Sequence, residues 1–157
     1  MAEAVRFELN DPANGVIDYA GVQLEAATRL DPLDLRGYDS LAFSAKLERA
    51  PNAGASLDAG AEGSAPVDFF VQLVCDAVGQ SGSLPYGSWL EYSIPIGPEW
   101  SSPSVALDEL VRPAFVVNFD RLDCLANIEA VVFVLGPELA DGETLAGTMT
   151  LDEISLH

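Results

Sequence analysis

The chain is a succession of short apolar runs cut by turn residues, and the parity of the apolar positions sorts those runs into two kinds. In Val5-Arg6-Phe7-Glu8-Leu9 and from Leu41 to Glu48, apolar and polar residues alternate, the period of a strand with one buried and one wet face. Ile128 to Leu135 is β-branched and aromatic at both parities, as in a central strand covered on both sides. Val67 to Asp76 sets Phe69, Val71, Leu73 and Cys75 on one face and Phe70, Gln72 and Val74 on the other. From Trp89 to Ile96 the inward positions are Leu90, Tyr92, Ile94 and Ile96, and Pro95, which has no N–H for a ladder, marks an edge or strand end. Gly147 to Leu156 closes the pattern with Thr148, Met149, Thr150 and Leu151 in alternation, then an acidic pair, Asp152-Glu153, that reads as a polar interruption near the strand's end.

Two further strands are predicted at Val16 to Leu30, with Val22 and Leu24 inward, and at Phe115 to Phe119. Turn chemistry separates the runs at Asn10 to Gly15 and at Asp31 to Asp39. Residues 50–66 are almost all Ala, Gly, Ser, Pro and acidic, too poor in apolar surface to order themselves, and predict a mobile loop between paired strands. Glu99 to Arg112 has apolar residues at mixed spacing and predicts one short helical turn capping an end of the fold, with Trp100 in that cap. Tyr38 is assigned to packing, and Asp120 to Asn127 to a turn. About eight strands with this turn spacing, and no βαβ unit, predict an all-β antiparallel β-sandwich of the jelly-roll kind, one domain over residues 1–157.

Charge changes the picture more than composition does. The chain has 25 Asp and Glu against 7 Lys and Arg, a formal net charge of -18, and Lys46 is its only lysine. Such a field repels phosphate backbones and anionic lipid, so neither nucleic acid nor a membrane surface is expected as a partner; it favours cations and neutral ligands. The same acidity also keeps a domain soluble in a salty or extracellular habitat. Met1-Ala2-Glu3-Ala4 lacks the basic and apolar regions of a signal peptide, and the expectation is a module cut from a longer, secreted protein.

Reactive groups are few. Cys75 and Cys124 lack metal-ligand spacing; two buried, unpaired thiols are expected, with a disulfide as the alternative in an oxidising compartment. His157 is the only histidine and the last residue, so a Ser-His-Asp or Cys-His arrangement has no base within the fold. A glycosidase would need only two carboxylates about 5–10 Å apart in a cleft, but no acidic pair stands out from the background. The chain is therefore read as not an enzyme.

Three segments carry a resemblance. Leu33 to Phe43, Ser88-Trp89-Leu90-Glu91-Tyr92-Ser93-Ile94-Pro95-Ile96, and Asn127 to Phe133 with Gly147 to Leu156 resemble, in this order, the galactose-binding-like jelly roll of carbohydrate-binding modules, especially family-11-like modules appended to glycoside hydrolases. The resemblance implies a polysaccharide or oligosaccharide ligand and a linked catalytic or adhesive domain. It also implies a structural calcium held by a terminal aspartate, matched by Asp152, with Glu8 as a weaker match for its amino-terminal partner; calcium needs about six to eight oxygen ligands.

Sugar rings present C–H faces that stack on aromatic rings and hydroxyls that seek planar donors and acceptors. On outward parity stand Arg6, Gln23, Lys46, Gln72, Trp89, Glu91 and Asn118, with Tyr19 and Tyr86 in adjoining loops. The expected sugar-binding set is Arg6, Tyr19, Gln72, Tyr86, Trp89 and Glu91. The alternative is an acidic protein-interaction or structural domain on the same sandwich, in which these are ordinary solvated sheet residues.

Overall fold

The computed structural model describes residues 2–10, 20–25, 33–50, 66–75, 88–114, 120–135 and 144–157; for 3, 7–10, 20–25, 88, 144 and 145 only the backbone is considered. Among these residues the strands are β1 (Glu3–Asn10), β2 (Ala20–Glu25), β3 (Ser40–Arg49), β4 (Val67–Cys75), β5 (Ser88–Ile96), β6 (Ser104–Ala106), β7 (Ile128–Leu135) and β8 (Thr144–Leu156). They form two antiparallel four-stranded sheets, ordered β1-β8-β3-β6 and β2-β7-β4-β5, stacked as a sandwich. The expected strands at 115–119 and the loop spanning 51–65 lie outside the described residues.

The alternating residues build the core as their parity predicts. Leu41, Phe43, Ala45 and Leu47 of β3 face Phe69, Val71 and Leu73 of β4 and Phe133 of β7 across the layers, all buried. Phe43 from one sheet meets Phe133 and Phe69 of the other, with ring centroids 5.0 and 5.9 Å apart. Each such ring contributes about 1.5–3 kcal/mol by leaving water, so this contact between layers is a main source of the sandwich's cohesion. Pro95 falls on β5, an edge strand, where its missing donor costs no interior ladder bond.

The end of β8 is irregular where the acidic pair stands. Between the register pairs Ala42 with Ser155 and Ser44 with Asp152, two β8 residues oppose one of β3, a β-bulge, and Glu153 takes a left-handed φ of 54°. The Ser44 hydroxyl donates to Glu153 Oε2 at 3.0 Å, which fixes the bulged side chain. Further along, Gly147 lies where β8 passes between its two neighbours, and a Cβ there would run into the Glu48 carbonyl.

Four expectations are corrected. The segment read as a cap makes its one expected helical turn, of 3-10 type, at Leu107–Glu109, but in place of a cap it supplies an edge strand, β6, beside β3, with Val105 and Leu107 both buried. The segment read as a turn forms a short helix, α1 (Arg121–Leu125). Asp120 caps it, its Oδ1 accepting the N–H groups of Leu122 and Asp123 at 2.8 and 3.1 Å. Cys75 and Cys124 are bridged, with Cα atoms 5.2 Å apart, because α1 sets Cys124 inward over the end of β4. Tyr38, assigned to packing, is exposed; the turn that carries it, closed by its N–H on the Leu35 carbonyl, gives the interior position to Leu35.

Candidate ligand-binding face

The outer face of the β2-β7-β4-β5 sheet gathers three of the residues singled out from the sequence. Gln23, Val132, Gln72 and Glu91 are successive Cα partners across its four strands, so they form one row. The next row pairs Val74 with Trp89, and the row on the other side runs from Val134 through Phe70 to Ser93. Side chains on one face of a pleat stand in register, which is why the one-residue alternation in β4 and β5 brings these groups together.

Their contacts make a small hydrogen-bonded unit. Trp89 Nε1–H donates to Glu91 Oε2 at 3.0 Å, and Gln72 Nε2 donates to the same oxygen at 3.2 Å. Glu91 thus orients the indole from its own strand and the amide from the neighbouring one, while its Oε1 takes neither bond. All three side chains are half-buried, as are Phe70, Val74, Val132 and Val134 beside them. At its outer edge β5 is bridged through Glu91 to Val111, each backbone N–H bonding the other's carbonyl at 2.8 Å.

The remaining expected residues are placed elsewhere. Arg6 is on β1, in the other sheet, partnered with Thr148 and exposed, so it does not share a face with Gln72, Trp89 and Glu91. Lys46, on β3, is also in that sheet. Tyr19, Tyr86 and Asn118 lie outside the described residues. Asp152 is opposite Ser44, and Glu8 is opposite Ala146, six β8 positions away, about 20 Å along the strand. The backbone positions of the two residues are therefore too far apart for one ion, and no group of three metal-ligating side chains comes together among the described residues. The Asp152 carboxylate accepts the Glu153 N–H at 2.9 Å, which lowers its pKa below the ordinary aspartate value. A contact the sequence reading passed over is Ser155 Oγ with His157 Nε2 at 2.9 Å, on the solvent-exposed end of β8.

Solved structures resemble this arrangement of strands over nearly its whole length. The chain shares its fold with family 11 carbohydrate-binding modules. One from Clostridium thermocellum, in complex with a β-1,3-1,4-mixed-linked tetrasaccharide, is 16% identical with a TM-score of 0.52, covering 99% of this chain and 82% of that one. Another, the family 11 module of the cellulosomal cellulase Lic26A-Cel5E of the same organism, is 15% identical with a TM-score of 0.50 over 99% and 84%. An agarase is 14% identical with a TM-score of 0.52, covering 99% of this chain but 23% of the agarase. No protein-family model matches the sequence, and no curated protein does.

Proposed function

We propose that this chain is a non-catalytic module that docks a neutral polysaccharide or oligosaccharide on the outer face of the β2-β7-β4-β5 sheet. The observation that carries the reading is the Trp89–Glu91–Gln72 unit: an indole held by a carboxylate, with an amide at its side, on a half-buried apolar sheet. The ring offers a flat surface to pyranose C–H groups, and Glu91 Oε1 and the Gln72 carbonyl oxygen are acceptors for hydroxyls. Preorganisation by Glu91 lowers the ordering cost of binding. Likeness of fold to a module that holds a mixed-linkage tetrasaccharide supports the reading, and the disulfide supports a secreted, oxidising location. In the agarase the same sandwich corresponds to less than a quarter of a longer chain, which supports a linked enzyme domain as the context. Docking would then act by raising the local concentration of that partner at its polysaccharide.

Calorimetry and affinity electrophoresis against mixed-linkage β-glucan, xylan, mannan and agarose oligosaccharides test the proposal. Binding to at least one of them is expected, weakened about tenfold by Trp89→Ala and by Glu91→Ala. No heat and no retardation with any of them rejects it. Salt-sensitive capture of a basic protein, with no glycan response, would favour the acidic interaction domain instead.

A further inference from the structure

The outer face of the opposite sheet carries a second, differently built aromatic position. Trp100 is 49% exposed, at the flank of β3 beyond β6. Its position is set by the chain on either side: Leu47 N–H bonds the Gly97 carbonyl, and Ala45 and Ser101 exchange both backbone bonds at 2.8 and 2.9 Å. This pairing continues the outer face of the sheet by one more chain, with Trp100 beside Lys46 and Ser102 beside Ser44.

Contacts confirm that lateral order. Lys46 Nζ stands 5.5 Å from the centroid of the indole and 2.9 Å from Glu48 Oε2. The only lysine of a chain with net charge -18 thus makes a cation–π contact with this ring, and Trp100 keeps half of its surface exposed. Roughly 120 Å² of the Trp100 residue stays in water, taking its full area from typical aromatic burial. Two residues along β3, about 7 Å away, the hydroxyls of Ser44 and Ser102 meet at 2.9 Å and Ser44 donates to Glu153 at 3.0 Å. Thr150, the Cα partner of Lys46 on β8, continues that row on the far side of β3 and is itself largely buried.

We infer that this face is a second glycan-binding site, in which one pyranose ring stacks on the exposed surface of Trp100 and its hydroxyls bond the polar groups at the rim of the indole, Lys46 along the row and Ser102 beside it. The surroundings select that ligand. A protein interface needs several adjoining apolar side chains around its anchor, whereas Trp100 contacts Lys46 and adjoins the polar row of Ser44 and Ser102. An anionic ligand would meet the field of the whole chain, whereas a neutral sugar meets a flat ring beside an ammonium that is already paired with Glu48. The site is independent of binding at Trp89, and with both sites working the module would join two glycan chains from opposite sides.

The chain has two tryptophans, one on each sheet, so each indole N–H reports on one face. ¹⁵N-labelled protein is titrated with mixed-linkage β-glucan tetrasaccharide, cellohexaose, xylohexaose and agarohexaose, in the wild type and in Trp89→Ala, Trp100→Ala and Lys46→Ala. With at least one sugar the Trp100 signal should move saturably, still do so in Trp89→Ala, and do so with about threefold weaker affinity in Lys46→Ala. Backbone signals of Ser44 and Thr150 should lose their response in Trp100→Ala, whose unchanged spectral dispersion verifies its fold. Movement of the Trp89 signal alone overturns this inference and leaves the proposed function standing; movement of Trp100 alone does the reverse. Silence at both indoles rejects both, and a Trp100 shift that is lost in Trp89→Ala is indirect and overturns the second site.

Discussion

Removing the Cys75–Cys124 bridge should cost this domain a large share of its stability, and the magnitude follows from the chain it closes. The two residues are 49 apart in sequence, and a crosslink over that span restricts the unfolded ensemble by about 4 kcal/mol at 25 °C in the chain-entropy treatment, which adds 1.5R ln n to a constant. Both cysteines are almost completely buried, at 1% and 3% exposure, so the bridge also adds packing to the folded state. The double variant Cys75→Ala/Cys124→Ala should therefore unfold in urea at a midpoint roughly 2 M lower, for a slope of about 2 kcal/mol/M. That slope should also rise, because an uncrosslinked unfolded chain exposes more surface; loss of native packing alone would lower the midpoint and leave the slope unchanged. Tryptophan fluorescence and circular dichroism, followed in parallel, measure both quantities. A midpoint within about 0.5 M of the oxidised protein would refute the argument, and an unchanged slope would refute its assignment to the unfolded state. In native buffer, thiols should become titratable only at the rate of opening, since reductant has no path to either sulfur.

Three further outcomes are expected. Gly147→Ala should destabilise the fold by about 1–3 kcal/mol or more, since its methyl meets the Glu48 carbonyl, a backbone atom that no rotamer change can move aside; urea unfolding with an effect under about 0.5 kcal/mol would contradict the close approach. Asp34 should titrate at about 2, held down first by its side-chain bonds to Arg36 and then by the Arg36 N–H, and carboxyl NMR of Arg36→Ala should return it towards the usual aspartate range. Because its folded pKa is the lower one, its stabilising contribution is present above about pH 4 and is lost as pH falls through about 2. Glu8→Ala should leave any calcium dependence of the unfolding midpoint unchanged, since Glu8 and Asp152 stand about 20 Å apart along the strand; a calcium-dependent rise that is lost in that variant would contradict this register.

The strands were legible where one physical constraint controlled each position. Alternation in β3, β4 and β5 reports which side chains share a face, and Phe43 and Phe69 are inside on the faces that it marks; β7, apolar at both parities, left the inward position of Phe133 to be set by its place between β2 and β4. The acidic pair of β8 was visible as an interruption because a charged residue at an inward parity has no partner there; its resolution as a bulge depends on the Ser44 hydroxyl across the ladder. The elements that were misread are those stabilised by distant groups. β6 has three residues and exists because β3 offers it an edge. The five residues of α1 are too few to hold a helix alone, and they are fixed by the Asp120 cap, the bonds from Arg121 to the Leu107 and Leu110 carbonyls, and the bridge to β4.

The binding residues were harder to read than the strands for a different reason. Parity states that a side chain faces outward, but a sandwich has two outward faces, and which one a residue occupies depends on the sheet that its strand joins. Arg6 and Gln72 are both outward, and nothing within their own segments tells them apart; β1 joins β8 while β4 lies between β7 and β5, and the two side chains end on opposite sides of the molecule. Trp89, Glu91 and Gln72 could be grouped because two of them share a strand and the third lies on its hairpin-like partner, a relation local enough to show in sequence. Trp100 could not, since its neighbours Lys46 and Ser44 come from a strand more than fifty residues earlier. The sheet order thus converts one list of outward residues into two separate aromatic positions, and it is this division that makes binding at one indole without the other a meaningful outcome.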